Sequence, residues 1–351
     1  MIRSILLALT VCGAVHAGIG LRLPTENHHL LTGEPDRFFM YVDRDFEGQK
    51  SKPWEGGSYG VVRNALRLGD QVIYTKFHEG IDILPVNRDK AGNPLDLVSS
   101  IADGRVVHTS PVAGASNYGK YVVVEHTWDD SSFYSLYAHL ATITCKTGDE
   151  VQAGAALGRM GFTGAGINRE RAHVHLEIAM MMSRHFDEWQ KGSGGGPNSH
   201  GLFHGYNLTG LDPARLFTEY QANPELRISE FIASIPVHFK VTVPAKGTPD
   251  FVTRYPWICH GSAEGAVSWE ISFSATGVPV AFTPTMRQVN APVVSWIQAS
   301  AISQRYLTHN LVTGQQENAT LTASGKQLIT LLTDDFQVTT VSKEPAVRNK
   351  G

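Results

Sequence analysis

No run of apolar residues in this 351-residue chain reaches the 18 or so that a membrane-spanning helix needs. A basic excess is missing too: 30 Lys and Arg stand against 33 Asp and Glu, for a formal net charge of −3. With nothing to hold a phosphate backbone, the composition argues against a nucleic-acid partner. It argues equally against an electrostatic grip on anionic membranes or wall polymers. No internal repeat is visible, and no strand–helix–strand rhythm of the kind that builds a parallel sheet. What remains is a globular composition, 42% hydrophobic and 18% charged, which excludes disordered, collagen-like and coiled-coil chains. At about 150 residues per domain, the length suggests two domains.

The chain opens with Met1-Ile2-Arg3, an apolar stretch from Ile5 to Val11, and Val15-His16-Ala17. A positive start, a short apolar core and small residues form a secretory signal with cleavage near Ala17, so the mature protein is expected to be secreted or periplasmic. Cys12 suggests a lipoprotein signal, but Val11 is too large for the position before a lipidated cysteine. Of three cysteines, export would leave Cys145 and Cys259, which stand either as one disulfide or as two isolated thiols.

Residues 18–69 read as an irregular segment with a few short strands, with turn signals at Pro24, Gly33-Glu34-Pro35 and Trp54-Glu55-Gly56-Gly57. From 70 to 222 short apolar runs are punctuated by Gly and Asp. Strands are expected at 71–74, 80–84, 104–109, 121–126, 133–139 and 172–179, with a hairpin loop over Trp128-Asp129-Asp130-Ser131. That is an antiparallel β domain. Met180–Trp189 reads as a short helix, followed by a flexible glycine run; Asp212-Pro213 starts another helix, with Asp as its cap. Beyond Asn223-Pro224 the chain is rich in Val, Thr, Ser and Pro. Strands at 237–243, 267–274, 278–282, 293–297 and 327–332 give a second, separate β-rich domain over 225–345, drawn as a sandwich, with no catalytic group.

Three histidine-bearing stretches carry chemistry. In His78-Glu79-Gly80-Ile81-Asp82, strand alternation puts residues 78, 80 and 82 on one face, and Gly80 leaves room for an ion between imidazole and carboxylate. In Ala172-His173-Val174-His175-Leu176-Glu177, two imidazoles share one face while Val174 and Leu176 point into a core; metal ligation gives such a face a purpose. His139 closes Tyr134-Ser135-Leu136-Tyr137-Ala138-His139-Leu140, and alone reads as an ordinary strand-end histidine.

In order, His-x-Gly-x-Asp, Asn117-Tyr118-Gly119, Tyr-Ala-His-Leu, Gly148-Asp149-Glu150-Val151, His-x-His and Leu211-Asp212-Pro213 resemble the zinc metallopeptidases of the lysostaphin and LytM type, which cleave peptidoglycan cross-links. The resemblance covers about residues 70–218. It implies one zinc held by His78, Asp82 and His175, with His139 and His173 as the catalytic histidines. Three protein ligands and one open position suit a catalytic ion. The implied activity is endopeptidase cleavage of peptidoglycan peptides through a zinc-bound water. A non-catalytic wall-binding or activator protein on the same scaffold is the alternative, and a peptidase for another Gly-rich extracellular protein a third. Three features depart from shorter members: a long loop at 162–171, an insertion over 183–210 with His185, His200 and His204, and the C-terminal region. His200 and His204 are candidates for a second metal but read better as exposed loop residues. Asn27-His28-His29 is a candidate fourth ligand that would fold back and keep the enzyme latent.

Overall fold

The computed structural model describes residues 18–335 except 194, 195 and 197, so the export signal lies outside the described residues. Its centre is a seven-stranded antiparallel sheet. The strands used below are β1 Gly60–Leu68, β2 Gln71–His78, β3 Ile81–Ile83, β4 Gly104–Ser110, β5 Tyr121–Trp128, β6 Ser131–Ala138, β7 Glu150–Val151, β8 Val174–Met181 and β9 Leu208–Leu211. In the sheet the order is β7-β4-β5-β6-β8-β9, with β3 pairing the start of β8 on the edge that β9 also uses, opposite β6. β5 and β6 meet in the expected hairpin, Trp128 opposite Ser131. Asp129 and Asp130 both take positive φ, 47° and 55°, which gives the two-residue turn the twist its flanking strands need.

β8 shows why the sheet has one histidine-bearing face and one core face. Val174, Leu176 and Ile178 are fully buried in the main apolar core. His175 and Glu177 alternate with them and point the other way, as period-2 geometry requires. The N-terminal segment is more ordered than its sequence suggested. β1 and β2 form a long antiparallel hairpin, the arm, which the turn at Gly69-Asp70 closes.

The C-terminal region carries a single four-stranded antiparallel sheet in place of a sandwich. Its order is β12-β11-β10-β13, with β10 Phe239–Pro244, β11 Ser268–Phe273, β12 Pro279–Thr285 and β13 Val293–Ile297. The strand expected at 327–332 is instead part of a helix, Ala323–Leu332. Its Leu328, Ile329, Leu331 and Leu332 fall at helical spacing, and the Thr322 side chain caps the Gly325 N–H. The helix expected from Met180 is Phe186–Gly192, because Met180 and Met181 stay in β8.

The two regions share one apolar core that runs from Ile81 and Val174 through Phe133 to Tyr255, Phe239 and Trp269. The Tyr255 hydroxyl donates to the Ser132 carbonyl at 2.8 Å and accepts from the Met181 N–H at 3.0 Å. Arg254 donates to the Met181 and Met182 carbonyls, at 2.7 and 2.9 Å. Trp257 Nε1 donates to Ser131 Oγ at 3.0 Å. The C-terminal region therefore satisfies the end of β8, the strand that carries His175. Cys145 and Cys259 are both free.

His126 makes the core sensitive to acid. It is fully buried on β5 and stacked on Trp128 with ring centroids 5.0 Å apart. Its Nδ1–H donates to the Asp103 carbonyl at 2.8 Å, and Nε2 lies 2.7 Å from Ser135 Oγ. Burial, only partly opposed by that carbonyl, pushes its pKa down to about 4. The folded chain holds it neutral while the unfolded chain takes up a proton near pH 6.5. Its contribution is therefore complete above about pH 6.5 and lost as pH falls toward 4, by about 2 kcal/mol between pH 7 and 5. Denaturant unfolding of the parent and of His126→Asn at both pH values should show a smaller loss in the variant; equal losses would remove His126 as the cause.

Candidate metal centre

His78, Asp82 and His175 converge, each buried, with one potential ligand atom apiece and those atoms all within 4.8 Å of one another. His78 ends β2, Asp82 is the middle residue of β3, and β3 lies on β8 so that Asp82 sits opposite His175. His78 and Asp82 meet across a bend at Glu79-Gly80, not along one strand face. Gly80 does not make room for an ion either. A Cβ there would overlap the Leu176 carbonyl oxygen, so glycine is what lets the bend lie against β8.

The atoms facing inward are His78 Nε2, His175 Nδ1 and Asp82 Oδ1. Nε2 and Nδ1 are 3.1 Å apart, and Oδ1 lies 3.2 Å from the first and 2.9 Å from the second. Outward contacts fix which nitrogen carries hydrogen. His78 Nδ1–H donates to the Ser58 carbonyl at 2.8 Å, which leaves Nε2 with a lone pair. His175 Nε2–H donates to Glu177 Oε1 at 3.0 Å, which leaves Nδ1 with one. Glu177 also accepts from the Tyr118 hydroxyl at 2.7 Å. Imidazole ligands oriented in this way by a carbonyl or carboxylate are what metal sites use.

Two further histidines border the cluster. His139 follows β6 with φ 63°, and its Nδ1–H donates to the Thr163 carbonyl at 2.9 Å. His173 Nδ1–H donates to the Arg171 carbonyl at 2.6 Å, and its Nε2 lies 3.4 Å from Asp82 Oδ1. Their rings are 4.8 Å apart, edge to face. Nδ1 of each ring is thus engaged by a backbone carbonyl. The five polar groups named from the sequence form one site.

Electrostatics favours a cation here. Burial opposes ionisation of Asp82, yet His78 and His173 outweigh it and hold the carboxyl well below its usual range. Burial also opposes protonation of His175, but the Asp82 and Glu177 carboxylates push its pKa up to about 10. With no other cation, a proton takes that place. Burial, reinforced by His173 and His175, holds His139 well below the usual histidine value. Two buried carboxylates, Asp82 and Glu177, face one guanidinium: Arg63 Nη2 donates to Asp82 Oδ2 at 2.6 Å. One negative charge is left over, and a bound cation would offset it. Its fit is close as well, since tetrahedral zinc bonds of about 2.0–2.1 Å place ligand atoms about 3.3 Å apart.

Neither Glu177 nor Arg63 was singled out from the sequence. Glu177 carried a signal, two residues past His175 on the same strand face; Arg63 carried none at fixed spacing. The other histidine candidates lie elsewhere. His29 Nδ1 is 2.9 Å from Glu34, and Asn27 is held by the Arg37 and Leu84 carbonyls, so that segment supplies no fourth ligand. Tyr121 Oη holds His200 Nδ1 at 2.6 Å, and the Tyr206 N–H donates to His204 Nδ1. His185 faces Asp334 at 3.5 Å. Among the described residues only His78, Asp82 and His175 form a group that could hold a metal ion.

Residues 76–187 match the model of peptidase family M23. The chain is 32% identical over 90 residues to the lipoprotein NlpD of Yersinia enterocolitica, covering 84% of that sequence and 26% of its own. It is 33% identical over 101 residues to the murein hydrolase activator NlpD of Escherichia coli K12, 29% of this chain but only 22% of that protein. The chain thus spans about a fifth of the length of such activators. Among solved structures, the catalytic domain of lysostaphin from Staphylococcus simulans aligns at 24% identity, over 46% of this chain and 89% of that one, with a TM-score of 0.28.

Proposed function

The chain belongs to peptidase family M23, and from that premise we propose that it is an exported zinc endopeptidase acting on the peptide part of peptidoglycan. The observation that carries the reading is the convergence of three potential donor atoms, on His78, Asp82 and His175, within 3.2 Å of one another. Those residues would hold the ion. A zinc ion there supplies a Lewis acid that polarises a carbonyl and lowers the pKa of water beside it.

The chain's own residues do the rest. His139 and His173 present Nε2 lone pairs at the edge of the cluster. One accepts the proton that the attacking water releases as its oxygen bonds to the amide carbon. When the C–N bond breaks, the proton is returned to the departing nitrogen, which leaves as an amine. The protonated ring also stabilises the negative charge on the carbonyl oxygen in between. Arg171 and Thr163 carbonyls keep the two rings oriented, so neither nitrogen has to reorganise during the reaction. A peptide rich in glycine or D-residues is the proposed substrate.

A second reading, an activator of other murein hydrolases, has one observation in its favour: relatives at 33% identity carry that name. The complete donor set and both flanking histidines support hydrolysis over it. Purified mature protein should hold about one zinc per chain, and a chelator should remove it together with any hydrolysis. Metal analysis that finds none after reconstitution with zinc at neutral pH would favour the activator.

A further inference from the structure

Residues ahead of the family-matched region, Ser58 before β1 and Arg63 within it, reach the candidate metal centre. Residues 76–187 carry the family match, yet two of the three donor groups are oriented by residues before it. The Ser58 carbonyl holds His78 Nδ1, and Arg63 holds Asp82 Oδ2. We propose that Arg63 is a positioning residue. Its guanidinium restrains Asp82 so that a single oxygen, Oδ1, faces the ion, and this makes the arm an integral part of the centre. The proposal rests on reading the site as a metal centre.

Strand register explains how Arg63 arrives there. Gly60 pairs His78 and Val61 pairs Phe77, but Arg63 pairs Lys76, so a bulge at Val62 adds one residue to β1. Without that residue Val62 would sit opposite Lys76 and share the His78 face. The bulge exchanges the faces and gives that place to Arg63. Gly60, opposite His78, has no side chain to block the way. The fork is then held at two points, Nε donating to the Gly56 carbonyl at 2.6 Å and Nη2 to Asp82 Oδ2 at 2.6 Å. A planar guanidinium fixed twice is a stiff lever on a carboxylate whose side chain is only 5% exposed. With Oδ2 occupied, Asp82 has one oxygen left for the ion, and the coordination keeps room for a reacting group.

The arrangement also bears on latency. Segments that block a site can be cut away to activate it; a segment that holds the ligands cannot be. Removing the chain through β1 would free His78 Nδ1 and Asp82 Oδ2 at once.

The test uses the full mature chain, Arg63→Met and Arg63→Lys. Zinc dissociation constants come from chelator competition, and the absorption of the cobalt-loaded proteins reports ligand geometry. Losing an outer contact of this kind typically weakens metal binding about 10- to 100-fold. Arg63→Met should show that loss and an altered cobalt spectrum, while the metal-free protein melts within a few degrees of the parent. Arg63→Lys, which keeps the charge but cannot fork to both oxygens, should fall between; it carries the comparison if Arg63→Met is insoluble. A variant with the parent's dissociation constant and spectrum overturns the positioning role alone. A parent that takes up neither zinc nor cobalt overturns the metal centre itself, and the proposal with it.

Discussion

Alanine at His139 or at His173 should leave about one zinc bound and the melting temperature near the parent's, yet cost about 10²- to 10⁴-fold in peptide hydrolysis. Each ring borders the donor cluster without supplying one of its three mutually close atoms. What each supplies is an Nε2 lone pair, aimed by the Thr163 or the Arg171 carbonyl. Alanine at His78, Asp82 or His175 should behave otherwise: zinc affinity drops sharply and, because bound metal stabilises the folded chain, the melting temperature drops with it. Zinc content, melting and cleavage measured on all five variants should sort them three against two. If the His173 variant loses zinc while the His175 variant keeps it, the two residues exchange roles.

Cutting the chain after Asn223 should abolish soluble folded protein, an effect of the same weight on the stability side. By sequence alone the C-terminal region looks dispensable, since every family element precedes it. In the structure its Tyr255 and Arg254 cap the end of β8, and Phe133 packs edge to face on Tyr255 with centroids 5.6 Å apart. Large core aromatics are worth about 3–5 kcal/mol each, and a domain has only about 5–15 kcal/mol in all. Removing Phe251 and Tyr255, both fully buried, together with the partly buried Trp257 therefore takes away a large share of the total. Expression and circular dichroism of the shortened chain check this. A soluble, cooperatively melting fragment that still binds zinc would show that the shared core is not needed.

The convergence at the centre was legible because its chemistry is written in short, ordered spacings. Strand alternation places His173 and His175 together without any tertiary knowledge. The reason for Gly80 was not legible, because the group it accommodates, the Leu176 carbonyl, lies on another strand. Arg63 was hidden for a similar reason: its face depends on a one-residue bulge that nothing in the local pattern announces. The helix Ala323–Leu332 was misread as a strand because a short run of Leu, Ile and Thr suits both states until its cap at Thr322 is weighed. Dependence of β8 on Tyr255 is a contact between residues 74 apart, beyond any local pattern.

The most direct test of the central claim is mass spectrometry of what the zinc-loaded mature protein releases from purified peptidoglycan, with no other hydrolase present. Endopeptidase action predicts fragments that each carry a newly freed peptide amine or carboxyl, missing from chelator-treated and His173→Ala samples. An intact wall, cleaved only once a separate murein hydrolase is added, would contradict it and identify the chain as an activator.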